Sequence, residues 1–176
     1  RYWRDWSSDV CSSDLIQSKD VFIDGSRGLE PRANLLDTVD FKEGEKVLDI
    51  GCNSGLLSMY LGDRGCDATG VDNDPHIVTA AKMISNILGK KADYAHLDLD
   101  YVSHLEKYDT VMLFSVLHHT RDIKSNAKKV ADSCSRIFLE CRLFENGKQP
   151  GMNGWTNTSN WNFPNFDALV SFCEEI

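Results

Sequence analysis

Apolar residues recur along the chain in two alternating kinds of block, which predict strands and helices in succession. Short runs rich in Val, Ile, Leu and Phe, bounded by Gly, Asp or Asn, are typical of buried strands. The predicted strands cover residues 46–50, 66–72, 94–97, 108–114 and 136–144. The fourth run is apolar on both faces, as expected of a central parallel strand.

Between these strands the apolar residues recur at helical spacing. The predicted helices cover residues 30–39, 56–61, 74–88, 121–133 and 166–176. Pro31 suits the start of the first helix, Asp74 and Pro75 begin the third, and Gly89 ends it. Thr120 is the expected cap of the fourth helix. This alternation predicts an α/β fold, a doubly wound parallel (Rossmann-like) sheet with helices on both faces.

Two segments depart from this pattern. Residues 6–15 repeat a five-residue unit, WSSDV and then CSSDL, with no strand or helix period. We interpret residues 1–15 as a cloning linker or an unstructured native tail, and we assign the α/β domain to residues 16–176. Residues 145–164, rich in Asn, Gly and Trp, are predicted to form a long loop.

The composition is that of a globular domain able to bury a core, because 41% of the 176 residues are hydrophobic and 26% are charged. A formal net charge of -8 disfavours nonspecific nucleic-acid binding, which depends on Lys and Arg. The longest apolar run, residues 111–117, is far shorter than the roughly 20 residues that span a membrane. The six cysteines form no Cys-x-x-Cys pair, so we expect reduced thiols and a cytoplasmic protein.

The turn after the first predicted strand excludes two common nucleotide motifs. A dinucleotide fingerprint needs glycines at 51, 53 and 56, where this chain has Gly51, Asn53 and Leu56. A phosphate-binding loop needs a lysine after its last glycine, and Leu56 follows Gly55. A nucleotide-dependent oxidoreductase is therefore disfavoured.

A carboxylate at the end of the second predicted strand complements this turn. Asp72 lies 21 residues after Gly51, about the interval at which a carboxylate reaches the ribose hydroxyls of a nucleoside held over the turn. Gly51 and Gly55 would allow close approach of the backbone, and a carboxylate offers two acceptor oxygens to a vicinal diol. Together these residues predict a nucleoside-binding crevice.

These residues resemble the class I S-adenosylmethionine-dependent methyltransferases over residues 30–144. The motifs that carry the resemblance are VLDIGCNSG at 47–55, GVD at 70–72, Asp98, and YDTVMLFSVLHH at 108–119. The resemblance implies S-adenosyl-L-methionine as cofactor, and the binding residues that it implies are Asp49, Gly51, Cys52, Asn53, Gly55, Asp72, Asn73, Asp98, Leu99 and Ser115. Asn53 stands where the family more often has glycine.

Within that resemblance each part of the cofactor has its own partners. Asp49 and the two glycines would support the methionine end, Asp72 would bind the ribose diol, and Asp98 with Leu99 would meet the adenine. The family's sheet also ends with a sixth strand and an antiparallel seventh, which no sequence after Glu175 can supply. We therefore expect a fragment whose fifth strand is an exposed edge.

Methyl transfer is an in-line displacement in which the protein aligns the reactants, so no covalent nucleophile is expected. His118 and His119 follow the fourth predicted strand and are candidate bases for an acceptor hydroxyl or amine, or else a polar rim of the loop. Adjacent helical positions point about 100° apart, so one of the two would face the site. Arg27 and Arg32 are either surface residues or cations for the cofactor's carboxylate. No metal site is expected.

The acceptor is expected to be a small molecule or an RNA nucleoside. Aromatic residues after the fifth predicted strand either stack on a planar acceptor or pack the loop onto the sheet; they are Trp155, Trp161, Phe163 and Phe166. Residues 160–169 and 138–141 also resemble the branch of the family that modifies the wobble uridine of transfer RNA and uses a carboxylated cofactor. The alternative is a module that binds a cofactor or nucleoside without catalysis.

Overall fold

The computed structural model describes residues 16–17, 22–23, 29–141, 163 and 165–176. Two short strands, β1 (Ile16–Gln17) and β2 (Phe22–Ile23), pair with each other antiparallel. The other strands are β3 (Lys46–Ile50), β4 (Asp67–Asp72), β5 (Asp93–His96), β6 (Tyr108–Phe114) and β7 (Cys134–Glu140). The helices are α1 (Glu30–Leu36), α2 (Leu56–Asp63), α3 (Pro75–Leu88), α4 (Ile123–Ala131) and α5 (Phe166–Glu175).

Strands β3 to β7 form one sheet in the order β5-β4-β3-β6-β7, with every neighbouring pair parallel. The chain runs outward from β3 to β5, then crosses back to β6 on the other side of β3. This reversal between β3 and β6 creates the crevice at which ligands bind in doubly wound sheets. The predicted α/β fold is confirmed.

Alternate residues of the central strands supply cores on both faces of the sheet. On one face, Leu48 and Val111 pack in a core that also contains Val130 of α4. On the other face, Val47 and Met112 pack in a core with residues of α1 and α2. Side chains alternate between the faces of a strand, so the four successive apolar residues at 111–114 of β6 contribute to both cores.

Several predicted boundaries shift by a few residues, and one cap is wrong. α4 begins at Ile123 and is capped by Asp122, whose side chain accepts a hydrogen bond from the backbone N–H of Ser125. Thr120, the expected cap, instead donates through its hydroxyl to the carbonyl of Leu117 at the end of a 3-10 turn. A carboxylate is as good a cap as a hydroxyl, so sequence alone did not separate the two.

An ion-pair cluster ties β3, β6 and β7 together at their amino ends. The carboxylate of Glu45, only 8% exposed, accepts hydrogen bonds from Thr110 Oγ1 at 2.7 Å and from the guanidinium of Arg136. The same guanidinium lies 4.9 Å from the ring centre of Phe41. Burial by itself raises the pKa of the Glu45 carboxyl, but the hydrogen bonds it accepts, that of Thr110 first, hold the pKa below the usual 4.5.

Stability should therefore decline in acid partly through Glu45. A carboxyl with a depressed folded-state pKa contributes stability that is full above its unfolded pKa and lost as the pH falls through the folded value. Glu45→Gln can still accept a hydrogen bond but has no charge, so we expect it to be about 1 kcal/mol less stable than the wild type at neutral pH. Urea unfolding over a pH series should show this gap closing below pH 4.5.

The matched control is Glu106→Gln, since Glu106 is exposed. It should follow the wild-type curve at every pH. A gap between Glu45→Gln and the wild type that stays constant down to the acid transition would show that the Glu45 charge contributes nothing.

Candidate functional site

The turn between β3 and α2 folds back over the end of β4. The backbone N–H groups of Gly51 and Cys52 both donate to the carbonyl of Val71, at 2.8 and 2.9 Å. Gly51, Asn53 and Gly55 adopt left-handed backbone conformations, with φ of 74°, 51° and 81°. Two of the three positions are glycine and the third is Asn, a residue that tolerates this region, so the sequence suits a turn of this shape.

The Asp72 carboxylate lies against this turn, as the sequence predicts. Its Oδ2 accepts the backbone N–H of Asn53 at 3.2 Å, and its Oδ1 accepts that of Asp74 at 3.1 Å. Each oxygen of a carboxylate can accept more than one hydrogen bond, so both retain capacity for a ligand. The structure therefore brings the two parts of the predicted crevice together at the carboxyl ends of neighbouring strands.

Asn53 contributes a side chain as well as a backbone N–H to this turn. Its amide oxygen Oδ1 is buried and has no hydrogen-bond partner among the described residues. Buried polar atoms are nearly always paired, so this unpaired oxygen is an uncommon feature of the turn.

Asp49, expected at the methionine end of the cofactor, is 4% exposed. Its Oδ2 accepts a hydrogen bond of 2.7 Å from the hydroxyl of Ser58, on the first helix after the turn. Ser58 is itself fully buried and was not singled out from the sequence, where it looks like an ordinary helix residue. The pair fixes the end of β3 relative to α2.

The two glycines of the turn lie against side chains of the protein itself. A Cβ at Gly51 would lie 2.7 Å from Cγ2 of Val116, and one at Gly55 would lie 2.5 Å from the hydroxyl oxygen of Tyr94. The Tyr94 hydroxyl also donates to the Gly55 carbonyl at 3.1 Å. A side chain at Gly55 would therefore meet the protein's own Tyr94, which fills the space next to this glycine.

The other four residues predicted to bind the cofactor differ in how far they are exposed. Cys52 packs its side chain among Met59 and Tyr94 in the core, where burial raises the pKa of its thiol, so it can meet a ligand only through its backbone. Leu99 is likewise buried in the core. Asn73 is exposed next to Asp72, and Asp98 is half-buried with its Oδ1 bound to the N–H of Asp100.

Ser115, at the end of β6, joins a polar cluster that sequence reasoning did not anticipate. Its φ of 59° is left-handed, and its N–H donates to the carbonyl of Glu140 at 2.9 Å. Its hydroxyl donates to the Glu140 carboxylate, which also accepts two hydrogen bonds from Arg32, at 3.0 and 3.2 Å. The Arg32 guanidinium lies 5.2 Å from the ring centre of Phe114.

Glu140 stays ionised in this cluster. Burial by itself raises the pKa of its carboxyl, but hydrogen bonds from Arg32 and then from Ser115 hold the pKa below 4.5. The sequence did carry one signal for Glu140, a charged residue at the carboxyl end of an otherwise apolar run, Ile137-Phe-Leu-Glu140. Arg32, which the sequence left as either a surface residue or a cation for the cofactor's carboxylate, is half-buried and forms an ion pair with Glu140.

His118 and His119 lie in the 3-10 turn Leu117–His119, directly after β6. His118 is 5% exposed, whereas His119 is exposed, so the two side chains have different surroundings. Their rings nevertheless contact each other, with centres 4.0 Å apart. A positive charge on the His118 ring would also favour the ionised form of the Glu140 carboxyl.

The aromatic residues expected over the acceptor are only partly described. Phe163 packs on Phe172 of α5, with ring centres 5.0 Å apart, and Phe166 is 65% exposed. Trp155 and Trp161 lie outside the described residues, as does Arg27.

Within the described ranges no group of three or more His, Cys, Asp or Glu side chains could hold a metal ion. In the same part of the chain, no helix has the length and apolar character that a membrane span requires.

Comparison with known sequences gives a consistent set of relatives. Residues 48–136, half of the chain, match a family model described as "Methyltransferase domain". A protein of Idiomarina loihiensis named ubiquinone biosynthesis O-methyltransferase is 32% identical over 90 residues, which cover 50% of this chain and 37% of that protein. A protein of the same name from Vibrio atlanticus is 28% identical over 137 residues, which cover 76% of this chain and 51% of that protein. The chain thus spans about half or less of the length of these relatives.

Solved structures share the fold. Magnesium protoporphyrin IX methyltransferase from Synechocystis PCC 6803, crystallised with S-adenosylhomocysteine, superposes with a TM-score of 0.54. It is 24% identical, and the match covers 61% of this chain and 50% of the other. At this identity the likeness concerns the arrangement of strands and helices.

Proposed function

Because this chain belongs to the methyltransferase-domain family, we propose that it binds S-adenosyl-L-methionine at the carboxyl ends of β3 and β4 and supports methyl transfer to an acceptor. The observation that carries the proposal is the contact between Asp72 Oδ2 and the backbone N–H of Asn53, which joins the carboxylate that we expect to bind the ribose diol to a glycine-bearing turn. That contact lies beside the reversal of strand order, where doubly wound sheets bind their ligands.

The residues of the turn would hold the cofactor from several sides. Asp72 would accept hydrogen bonds from the ribose hydroxyls, and Asp49, kept in place by Ser58, would lie towards the methionine end. Asp98 would border the adenine. When bound, the cofactor supplies an electrophilic methyl group on a sulfonium; the protein contributes alignment and exclusion of water.

A hydroxyl acceptor must lose a proton during transfer, and His118 and His119 are the candidate bases. His119 is exposed at the carboxyl end of β6, where an acceptor could reach it, and His118 lies beneath it. The ionised Glu140 near His118 would stabilise the positive charge that the imidazole acquires when it takes a proton.

The acceptor that we propose is a small molecule with a hydroxyl group. The names of the curated relatives support this choice, since both proteins described above are called O-methyltransferases of ubiquinone biosynthesis. An RNA nucleoside, the other acceptor expected from the sequence, has no support among these relatives. The chain's net charge of -8 also disfavours contact with a nucleic-acid backbone.

Calorimetric titration of the protein with S-adenosylhomocysteine and, separately, with NAD tests the cofactor. We expect binding of the first and none of the second; the reverse would favour an oxidoreductase. Turnover is then tested with methyl-labelled S-adenosylmethionine and pools of phenolic small molecules or transfer RNA. Label in the small molecules supports the proposed acceptor, label in RNA replaces it, and binding without turnover favours a non-catalytic module.

A further inference from the structure

Two polar side chains of α4 hold the loop that follows β5. Nζ of Lys129 donates a hydrogen bond to the backbone carbonyl of Leu99 at 2.5 Å and another to Oδ1 of Asn126 at 2.9 Å. Nδ2 of Asn126 donates in turn to Oδ1 of Asp100 at 2.7 Å. Both ends of the Asn126 amide are therefore used, one towards the loop and the other towards Lys129.

Asn126 lies where an apolar residue is the ordinary choice. It is 3% exposed, on the face of α4 that carries the core residues Ala127 and Val130. A buried amide costs free energy unless it is hydrogen bonded, and an apolar side chain would attach α4 to the loop without this requirement. Apolar packing is not directional, whereas hydrogen bonds fix the distance and angle between the groups that they join. The network therefore sets where the loop backbone lies, beyond attaching it to α4.

The loop that is held in this way includes a residue expected to border the cofactor's base. The N–H of Asp100 donates to Oδ1 of Asp98 at 2.9 Å, so a shift of Asp100 moves the Asp98 carboxylate with it. The N–H of Leu97, at the start of the loop, donates to the carbonyl of Asp72 at 3.0 Å, which places the loop beside the predicted crevice. The two α4 side chains thus act on Asp98 through the loop.

We propose that Lys129 and Asn126 are positioning residues that set the selectivity of the site for adenine over other bases. The inference rests on the proposed function, in which Asp98 borders the adenine of the cofactor. A carboxylate held in one place would accept a hydrogen bond from the exocyclic amino group of adenine and repel the carbonyl oxygen of hypoxanthine. If the loop can move, the carboxylate turns away from that carbonyl, and the two bases are distinguished less well.

Lys129→Met tests this role, because it removes the ammonium group but keeps an unbranched side chain of similar length. The probes are S-adenosylhomocysteine and S-inosylhomocysteine, which differ only in the base. The selectivity is the ratio of their dissociation constants, measured by calorimetry, and the wild type should prefer the adenine compound. Lys129→Met should lower this ratio about three- to tenfold, the usual worth of one hydrogen bond, mainly through weaker binding of S-adenosylhomocysteine.

Lys128→Met is the matched control. Lys128 is the neighbouring residue of the same helix, but it is exposed and pairs with Asp132 instead of with the loop. Its replacement removes an equal charge and should keep the wild-type ratio. A purely structural role of Lys129 would lower the thermal midpoint of Lys129→Met and leave the ratio unchanged, and that result would overturn the inference.

Asn126→Leu is the second variant, since it removes both hydrogen bonds of the amide at nearly constant volume. It should lower the ratio at least as much as Lys129→Met, and a wild-type ratio in this variant would contradict the inference. A wild type that binds both probes equally would overturn the inference while leaving the proposed cofactor intact. A wild type that binds neither probe would overturn the proposed function, and this inference with it.

Discussion

Gly55→Ala is expected to lower the free energy of unfolding by about 2 to 5 kcal/mol and to weaken cofactor binding. An L-residue held at the left-handed φ of 81° costs about 1 to 2 kcal/mol. The new Cβ would also lie 2.5 Å from the hydroxyl oxygen of Tyr94 and 2.6 Å from its Cε1, and overpacking of this kind costs about 1 to 3 kcal/mol more. Relief requires the turn or the Tyr94 ring to move, and either shift displaces the edge on which the ligand would rest.

Urea unfolding and calorimetric titration with S-adenosylhomocysteine measure the two effects. Gly89→Ala is the matched control, because Gly89 has a left-handed φ of 62° but a Cβ there would meet no atom within 4 Å. It should show only the backbone cost and bind normally, since it ends α3 away from the turn. Equal losses of stability in the two variants would show that Tyr94 does not constrain Gly55.

Asp72→Ala is expected to weaken S-adenosylhomocysteine binding by about 1.5 to 3 kcal/mol, or roughly 10- to 150-fold, the usual worth of hydrogen bonds to a charged group. The carboxylate also orders the turn through the N–H of Asn53, so its loss removes both the ligand's partner and part of the preorganisation of the site. Dissociation constants from calorimetry provide the measurement, with far-ultraviolet circular dichroism to establish that the sheet is retained.

The control for this variant lies on the same strand. Asp67 is exposed at the opposite end of β4, so Asp67→Ala removes an equal charge without touching the turn. It should bind like the wild type. A dissociation constant for Asp72→Ala that matches the wild-type value would remove Asp72 from the binding site.

The order of elements could be predicted from the sequence because each strand of the sheet is a short run with its own boundary signals. The run at 108–114 was assigned to a central strand, and β6 lies between β3 and β7 with side chains buried on both faces. The resemblance to methyltransferases is confirmed by the match of residues 48–136 to the family model. The residue that caps α4 could not be predicted in the same way. Asp122 and Thr120 are both favoured N-cap residues, and only the local backbone geometry decides that Asp122 is the cap.

The site was predictable only where spacing along the chain determines distance in space. Asp72 and the turn follow adjacent parallel strands, so their meeting was expected from sequence. Tyr94 on β5 contacts Gly55 of the turn, and Glu140 on β7 binds the hydroxyl of Ser115. Each pair is distant along the chain, and its contact depends on how side chains pack across the sheet. The contact of Tyr94 with Gly55 could not be predicted from the sequence for this reason.

The cluster of Glu45, Thr110 and Arg136 lies at the amino ends of the strands, whereas the turn and Asp72 lie at the opposite edge. A strand of five residues such as β3 separates the two edges by roughly 16 Å. At that distance, substitutions at the two edges should have additive effects. A directed-evolution library that varies the carboxyl-end loops to accept new substrates could therefore offset its losses in stability with changes around Glu45, chosen and screened independently.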